Sequence, residues 1–461
     1  MNESLTLARH ITETNYDAIP ESVIAVTKKS FLDQLGVILA AGDQGEGCKQ
    51  FVDLAIAGGG KKESTIIGFG AKVPSYMAAF ASGSMSHALD YEDVHDGGGV
   101  HPNGPLVPAA LAVAESLGNI SGKEFLTALT LGTDITCRLG LAKVSGEESL
   151  KAGWYMPPIY GAFGAAAAAC KLLGLDTRQI LDAFSLTLCQ ATCSAELINS
   201  PDSFIRAIRD AFAAKTGVLS ALLAQKGISG FDQPIEGKAG FYALYMGGNF
   251  NTHVLTDKLG KSFEGANVSF KPWPSCRGTH PYIEAALQIV KNHDMRADDI
   301  EEIIVQVTEE PISRMLWEPI ARKRNPSKAI DAKFSVPFTV AAAFVYGMVS
   351  LDHFLPQRLQ DGKILDVARK IRCDVVPAWG KKVVQGLVKV KHKGEVMESP
   401  AVDHLSGSPG NPMSQEAIIA KFIDCAGHAV KPLPEKKLNA LIELVLHMED
   451  VTNIKEIAKY L

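Results

Sequence analysis

The densest run of proton-exchanging residues is Ser86 to Asp96, SHALDYEDVHD, followed by Gly97-Gly98-Gly99 and by His101-Pro102-Asn103-Gly104. Histidine titrates near neutral pH and carboxylates act as bases or orient partners, so the run offers general acid and base groups. Its glycines let backbone approach a ligand closely. Apolar helical patterns lead into the run and out of it, which places the polar groups on a connection held by rigid elements, where catalytic residues tend to sit. A metal site is a competing reading, with Asp90, Asp93, His95 and His101 as possible ligands. No helical His-x-x-x-His or Cys/His pair fixes a coordination geometry, however. A merely solvated acidic loop is the third reading.

Two further groups carry candidate chemistry. Arg206 and Arg209 are spaced i, i+3, so on a helix they share one face. Arginine keeps its charge and forms a planar fork suited to carboxylates, which points to an anionic substrate, with an exposed basic face as the alternative. Around a Pro-rich turn lie Lys271, Cys276, Arg277 and His280. Arg277 is the preferred carboxylate clamp of this segment. Cys276 as a nucleophile would need a base or a positive field, and a small packing residue is the simpler account.

The elements that must position these groups follow from periodicity. Apolar residues return every three or four positions in Val23–Ala40, Tyr76–Leu89, Leu106–Leu117, Lys123–Leu141 and Ile180–Cys193, an all-α pattern from Leu5 to about Ser229. The small-residue stretch Gly161–Leu175, with five consecutive alanines, suits a helix packed closely against neighbouring backbone. Past Val268 the β-branched runs Glu302–Thr308, Ile371–Val376 and Gly386–Lys393 alternate like strands, between amphipathic stretches Tyr282–His293 and Phe338–Gly347. Leu405–Met413 is turn-rich, and helical periodicity resumes in Gln415–Ala426 and Glu435–Met448. The expected fold is mainly α: a large, discontinuous all-α domain over residues 1–267 and 405–461, and a smaller α+β lid domain over 268–404.

Composition excludes several classes of function. With 46 Lys and Arg against 51 Asp and Glu, and no basic runs, nucleic acid is not an expected partner. The 8 cysteines include no CxxC pair and read as reduced thiols of a cytoplasmic protein. Met1–Tyr16 lacks the continuous apolar core of a signal peptide, and Phe163–Leu175 and Val336–Leu351 are shorter than the ~20 residues of a membrane span. Gly97–Gly99 follows no strand and no GxGxxG opens a helix, so a dinucleotide site is not expected.

The run His87-Ala-Leu-Asp90-Tyr-Glu-Asp93, with His101-Pro102-Asn-Gly104, resembles the signature loop of the MmgE/PrpD family. That family includes 2-methylcitrate dehydratase, cis-aconitate decarboxylase and iminodisuccinate epimerase. Gly153-Trp154-Tyr155 with Gly161–Cys170, then Arg206–Gly217, then Phe270–His280 fall in the family's order, so the resemblance covers nearly the whole chain. It implies a site between two lobes, a homodimer, a small polycarboxylate substrate, and no metal or organic cofactor. It also implies active-site roles for Asp90 and His101, with His101 in proton transfer. This chain departs from the family pattern in carrying Tyr155 and Arg209 where His is usual, and Arg206 where Lys is usual. Tyr155 then becomes a candidate acid, and Arg206, Arg209, Lys271, Arg277 and His280 candidates for carboxylate binding. The implied chemistry is proton abstraction beside a carboxylate, with dehydration of a 2-methylcitrate-like hydroxy acid expected first. Epimerisation, isomerisation or decarboxylation of a related acid is the alternative, and a non-catalytic anion-binding homologue is a reading of a different class.

Overall fold

The apolar periodicity of the N-terminal half becomes a bundle of helices in the computed structural model, which describes residues 2–144, 147–200, 202–293, 295–309, 311–379, 386–400 and 404–461. The helices that build the site are α1 (Glu21–Gln44), α2 (Ser75–Met85), α3 (Asn103–Leu117), α4 (Gly122–Leu141), α5 (Met156–Leu172), α6 (Thr177–Leu188) and α7 (Asp210–Gln225). Two of them start with reciprocal caps, Ser121 with Glu124 on α4 and Asp176 with Gln179 on α6, which satisfy backbone N–H groups that lack intrahelical partners.

The alanine-rich α5 is buried along almost its whole length. A Cβ on Gly164 would lie 2.6 Å from the Gly132 carbonyl of α4, and one on Gly217 of α7 would lie 2.6 Å from the Ala166 nitrogen. Three helix backbones therefore meet at separations that only glycine and alanine permit, which gives the small-residue composition its physical reason.

The smaller lobe carries a four-stranded sheet of β1 (Ile300–Val307), β2 (Ile371–Val375), β3 (Leu387–His392) and β4 (Glu395–Glu398), in the order β2-β1-β3-β4. β1 runs parallel to β2 and antiparallel to β3, and β3 pairs antiparallel with β4. Strand β4 was not anticipated from the sequence. It exists because Lys393 and Gly394 both take positive φ, 52° and 81°, the backbone that a tight two-residue hairpin needs. Helices α8 (His280–Asn292) and α9 (Val336–Tyr346) pack against the sheet.

The last helices, α10 (Gln415–Gly427) and α11 (Glu435–Leu446), lie against α1. The contact is tight, since a Cβ on Gly36 would stand 3.0 Å from the Phe422 ring. It also holds a buried ion pair, Lys421 Nζ to Asp33 Oδ1 at 2.6 Å. Among the described residues no helix is long and apolar enough to cross a membrane.

Candidate active site

The sequence pattern extends α2 to Leu89, but the helix ends at Met85. Gln34 Nε2 donates to the Ser86 carbonyl at 3.0 Å, supplying a partner for one of the terminal carbonyls, and the chain then turns so that Asp90 N donates to the His87 carbonyl at 2.8 Å. Asp90 adopts φ 50°, a left-handed conformation that costs a non-glycine residue energy and is held here by its surroundings. Lys271 grips it, donating to both the Asp90 carboxylate and, at 3.0 Å, the Asp90 carbonyl. Lys421 reaches in from α10 to the carbonyls of Tyr91 at 2.7 Å and Lys271 at 3.0 Å. Val94 and Ser269 exchange backbone hydrogen bonds of 2.9 and 2.7 Å. The signature loop is thus stitched to the start of the second lobe and to the C-terminal helices at once.

Glu92 lies at the centre of the loop, fully buried, with His87 Nδ1 and His101 Nδ1 on the same oxygen, Oε1. The His101 contact is 2.9 Å, and Nδ1 also lies 3.0 Å from the Asp93 carbonyl. A carbonyl only accepts, so Nδ1 of His101 carries the hydrogen and Nε2 is the nitrogen left to exchange a proton. The two rings stand 5.2 Å apart, edge to face. Burial, followed by the Arg209 charge, pushes His87 below its ordinary value, and its Nε2 is buried without a partner.

The carboxylates around this pair differ in character. Burial alone would raise Glu92, but His87, Lys271 and His101 hold it well below the usual range. Asp90 is likewise opposed by burial yet brought down to about 2, chiefly by Lys271. Asp93 goes the other way, up to about 7, because burial outweighs the 2.6 Å hydrogen bond from Asn103. Lys271 stays charged, since Asp90 and Glu92 more than offset its burial.

A cavity of about 360 Å³ opens onto this cluster. His87, Asp90, His101, Lys143, Arg277 and Tyr155 line it, so the first lobe and the second both contribute. Of the eight residues expected to act in catalysis or substrate binding, Asp90, His101, Tyr155 and Arg277 reach the cavity. The other four stand one layer back. Lys271 is fully buried against Asp90. His280 is buried behind Arg277, with Nε2 at 3.2 Å from the Ser275 carbonyl. The Arg206 guanidinium stacks 3.8 Å above the Phe334 ring, and that of Arg209 lies 5.1 Å from the Tyr155 ring, so both brace wall residues from behind. Arg277 itself is held by Asp96 through two 3.2 Å contacts and by a 3.1 Å bond to the Ser406 carbonyl. Cys276 is on the wall, but burial pushes its thiol up to about 11, which leaves it protonated and a poor nucleophile.

Three site residues escaped the sequence reading: His87, Glu92 and Lys143. The first two belong to the signature run, where a pattern of adjacent acids does not say which one the imidazoles share. Lys143 follows α4 and comes to the site because its Nζ donates to the Gly98 carbonyl. Burial lowers it to about 8.

A metal ion, if one were held here, would use His87, Asp90, Glu92 and His101, whose ligand atoms lie within 4.8 Å of one another. This differs from the sequence-derived set. His95 faces away, accepting from Gly98 N at 2.9 Å, and Asp93 is taken by Asn103. Nδ1 of both imidazoles is taken by Glu92 Oε1 and Asp90 Oδ1 by Lys271, while His87 Nε2, Asp90 Oδ2 and Glu92 Oε2 are buried without partners.

A helical lobe and an α+β lobe that both line the cavity fit what the resemblance to the MmgE/PrpD family implies, and comparison with known families agrees. The MmgE/PrpD N-terminal domain matches residues 5–253 and the MmgE/PrpD C-terminal domain residues 273–448; the chain belongs to this family. Among its relatives is the cis-aconitate decarboxylase-like protein oryM of Aspergillus oryzae, 28% identical over 392 residues, covering 81% of this chain and 79% of the relative. The cis-aconitate decarboxylase of Aspergillus terreus is 24% identical over 468 residues, 96% of this chain and 93% of the relative. That of Homo sapiens is 25% identical over 394 residues, 82% and 78% respectively.

Proposed function

We propose that the chain is a lyase that breaks a bond next to a carboxylate in a small di- or tricarboxylic acid and guides the resulting carbanion by proton transfer through His101. The observation that carries this reading is the fixed tautomer of His101, with Nδ1 held by Glu92 and the Asp93 carbonyl and the ring on the cavity wall. Decarboxylation comes first, because the relatives named above are decarboxylases or decarboxylase-like. In that reaction the C–C bond to one carboxylate breaks, CO2 leaves, and the electron pair enters an allylic system conjugated with a remaining carboxylate. His101 Nε2–H then delivers a proton to carbon, and water restores it. Lys143 and Arg277 supply positive charge where the anion develops.

Dehydration of a 2-methylcitrate-like hydroxy acid is the second reading. It is favoured by Asp90 Oδ2, a buried acceptor without a partner on a residue that lines the cavity, placed to hold a substrate hydroxyl. The test is incubation with citrate-like and aconitate-like acids, with chelator present, followed by proton NMR. Release of CO2 with a new alkene signal supports decarboxylation, water loss supports the second reading, and turnover restored only by a divalent metal contradicts both.

A further inference from the structure

Much of the cavity lining is apolar. Trp154, Met156, Tyr160, Ile198, Leu316 and Phe334 line the cavity together with the acid–base groups His87, Asp90 and His101. Among the described lining residues the only lysine or arginine side chains are Lys143 and Arg277, and Arg277 is already engaged by Asp96. The carboxylates of Asp90 and Asp96 line the same space. Arg206, Arg209 and Lys271, the other cations nearby, are turned to Phe334, Tyr155 and Asp90. A site for a compact trianion needs cations at several carboxylates, because removing a carboxylate from water without a partner is costly. This one provides for about one or two, and much of the remaining lining is apolar.

The cavity abuts a larger and more charged cleft, whose lining includes Glu196, Arg314, Glu318, Arg324 and Arg372. Leu150, Ile198 and Met315 line both this cavity and that cleft, of about 1020 Å³, so they form the partition between the two. A flexible arm projecting away from His101 would run along Trp154 and Phe334 toward that partition.

We propose that the substrate is a carboxylic acid bearing an alkyl arm of several carbons, with its reacting carboxylates at the His101 end and the arm against the apolar wall. This rests on the lyase reading for the position of the reacting group. Specificity then comes largely from buried methylenes rather than from a third carboxylate.

The test uses saturated 2-alkylsuccinates, which offer two carboxylates and nothing to decarboxylate, titrated calorimetrically from methyl to octyl. The full-length protein is expected to bind about threefold to fourfold more tightly per added methylene until the arm reaches the partition. Ile198→Trp or Met315→Trp, either of which narrows the partition, is expected to bring the hexyl-to-methyl affinity ratio close to one. A flat series, or tighter binding of tricarballylate than of hexylsuccinate, overturns the proposal. The two readings fail separately. Turnover of cis-aconitate with a flat alkyl series would leave the lyase reading standing and remove this one. A rising series without turnover of any unsaturated or hydroxy acid, alkylated ones included, would keep the apolar-arm site and remove the lyase reading.

Discussion

His101 presents Nδ1 to Glu92 Oε1 at 2.9 Å, and the same oxygen also takes Nδ1 of His87. One buried carboxylate thus orients two imidazoles and fixes the hydrogen of each on the nitrogen away from the reaction. Glu92→Gln is therefore expected to lower kcat by about 10²–10⁴-fold, the range for loss of a positioned acid–base group, with a much smaller change in KM. Steady-state kinetics with a circular dichroism control for folding checks it. A kcat within threefold of the parent protein would show that Glu92 is dispensable to the imidazoles.

Asp90 and Lys271 form a buried pair in which each compensates the other's charge. Asp90→Asn alone leaves an ammonium group without its nearest counter-ion, at an expected cost of about 3–5 kcal/mol. The double variant Asp90→Asn with Lys271→Met removes both charges and is expected to recover much of that loss. Chemical denaturation of the single and double variants gives the coupling directly.

Lys143 lines the cavity, and burial brings it down to about 8. It is charged below that pH and neutral above it, so KM for an anionic substrate is expected to rise as pH passes 8. Lys143→Arg keeps the charge throughout and is expected to flatten that rise. A pH–KM profile of the two proteins decides.

Lys333 is fully buried and donates to the Pro274 carbonyl at 3.1 Å, and burial lowers it to about 7. Between pH 7 and the ordinary lysine value of about 10.4 the unfolded chain binds a proton that the folded chain does not. Stability therefore rises with pH across that window, and the full penalty of the buried charge is present below it. Lys333→Met is expected to gain on the order of 3 kcal/mol near pH 6.5 after allowing for the lost hydrogen bond, a gain that fades toward pH 10. Urea denaturation at several pH values measures it.

The long helices were legible because burying one face imposes its period on the sequence, and the close packing of α5 was legible in its alanines. The end of α2 was not, since a run of apolar and polar residues through Leu89 does not reveal that Asp90 will take a left-handed turn held by Lys271 from a distant segment. For the same reason the motif could be recognised while the carboxylate shared by the two imidazoles, Glu92, could not be told from Asp90 and Asp93. Arg206 and Arg209 illustrate the opposite limit. Their spacing suggested a shared carboxylate-binding face, but Arg209 sits where helix Ile205–Ile208 gives way to α7, and the aromatic rings of Phe334 and Tyr155 take up the guanidinium faces. Contacts of that kind depend on what the fold brings alongside, and no local pattern encodes them.

The central claim is that His101 moves the proton. The most direct measurement is turnover in D2O by the parent protein and by His101→Ala, read by NMR at the carbon beside the remaining carboxylate where the proton is added or exchanged. The account predicts one deuteron placed at that carbon by the parent protein and a loss of at least about a hundredfold in the variant, with alkylsuccinate binding retained. Deuterium incorporation by His101→Ala within tenfold of the parent rate would contradict it and move the proton-transfer role to another residue of the cavity.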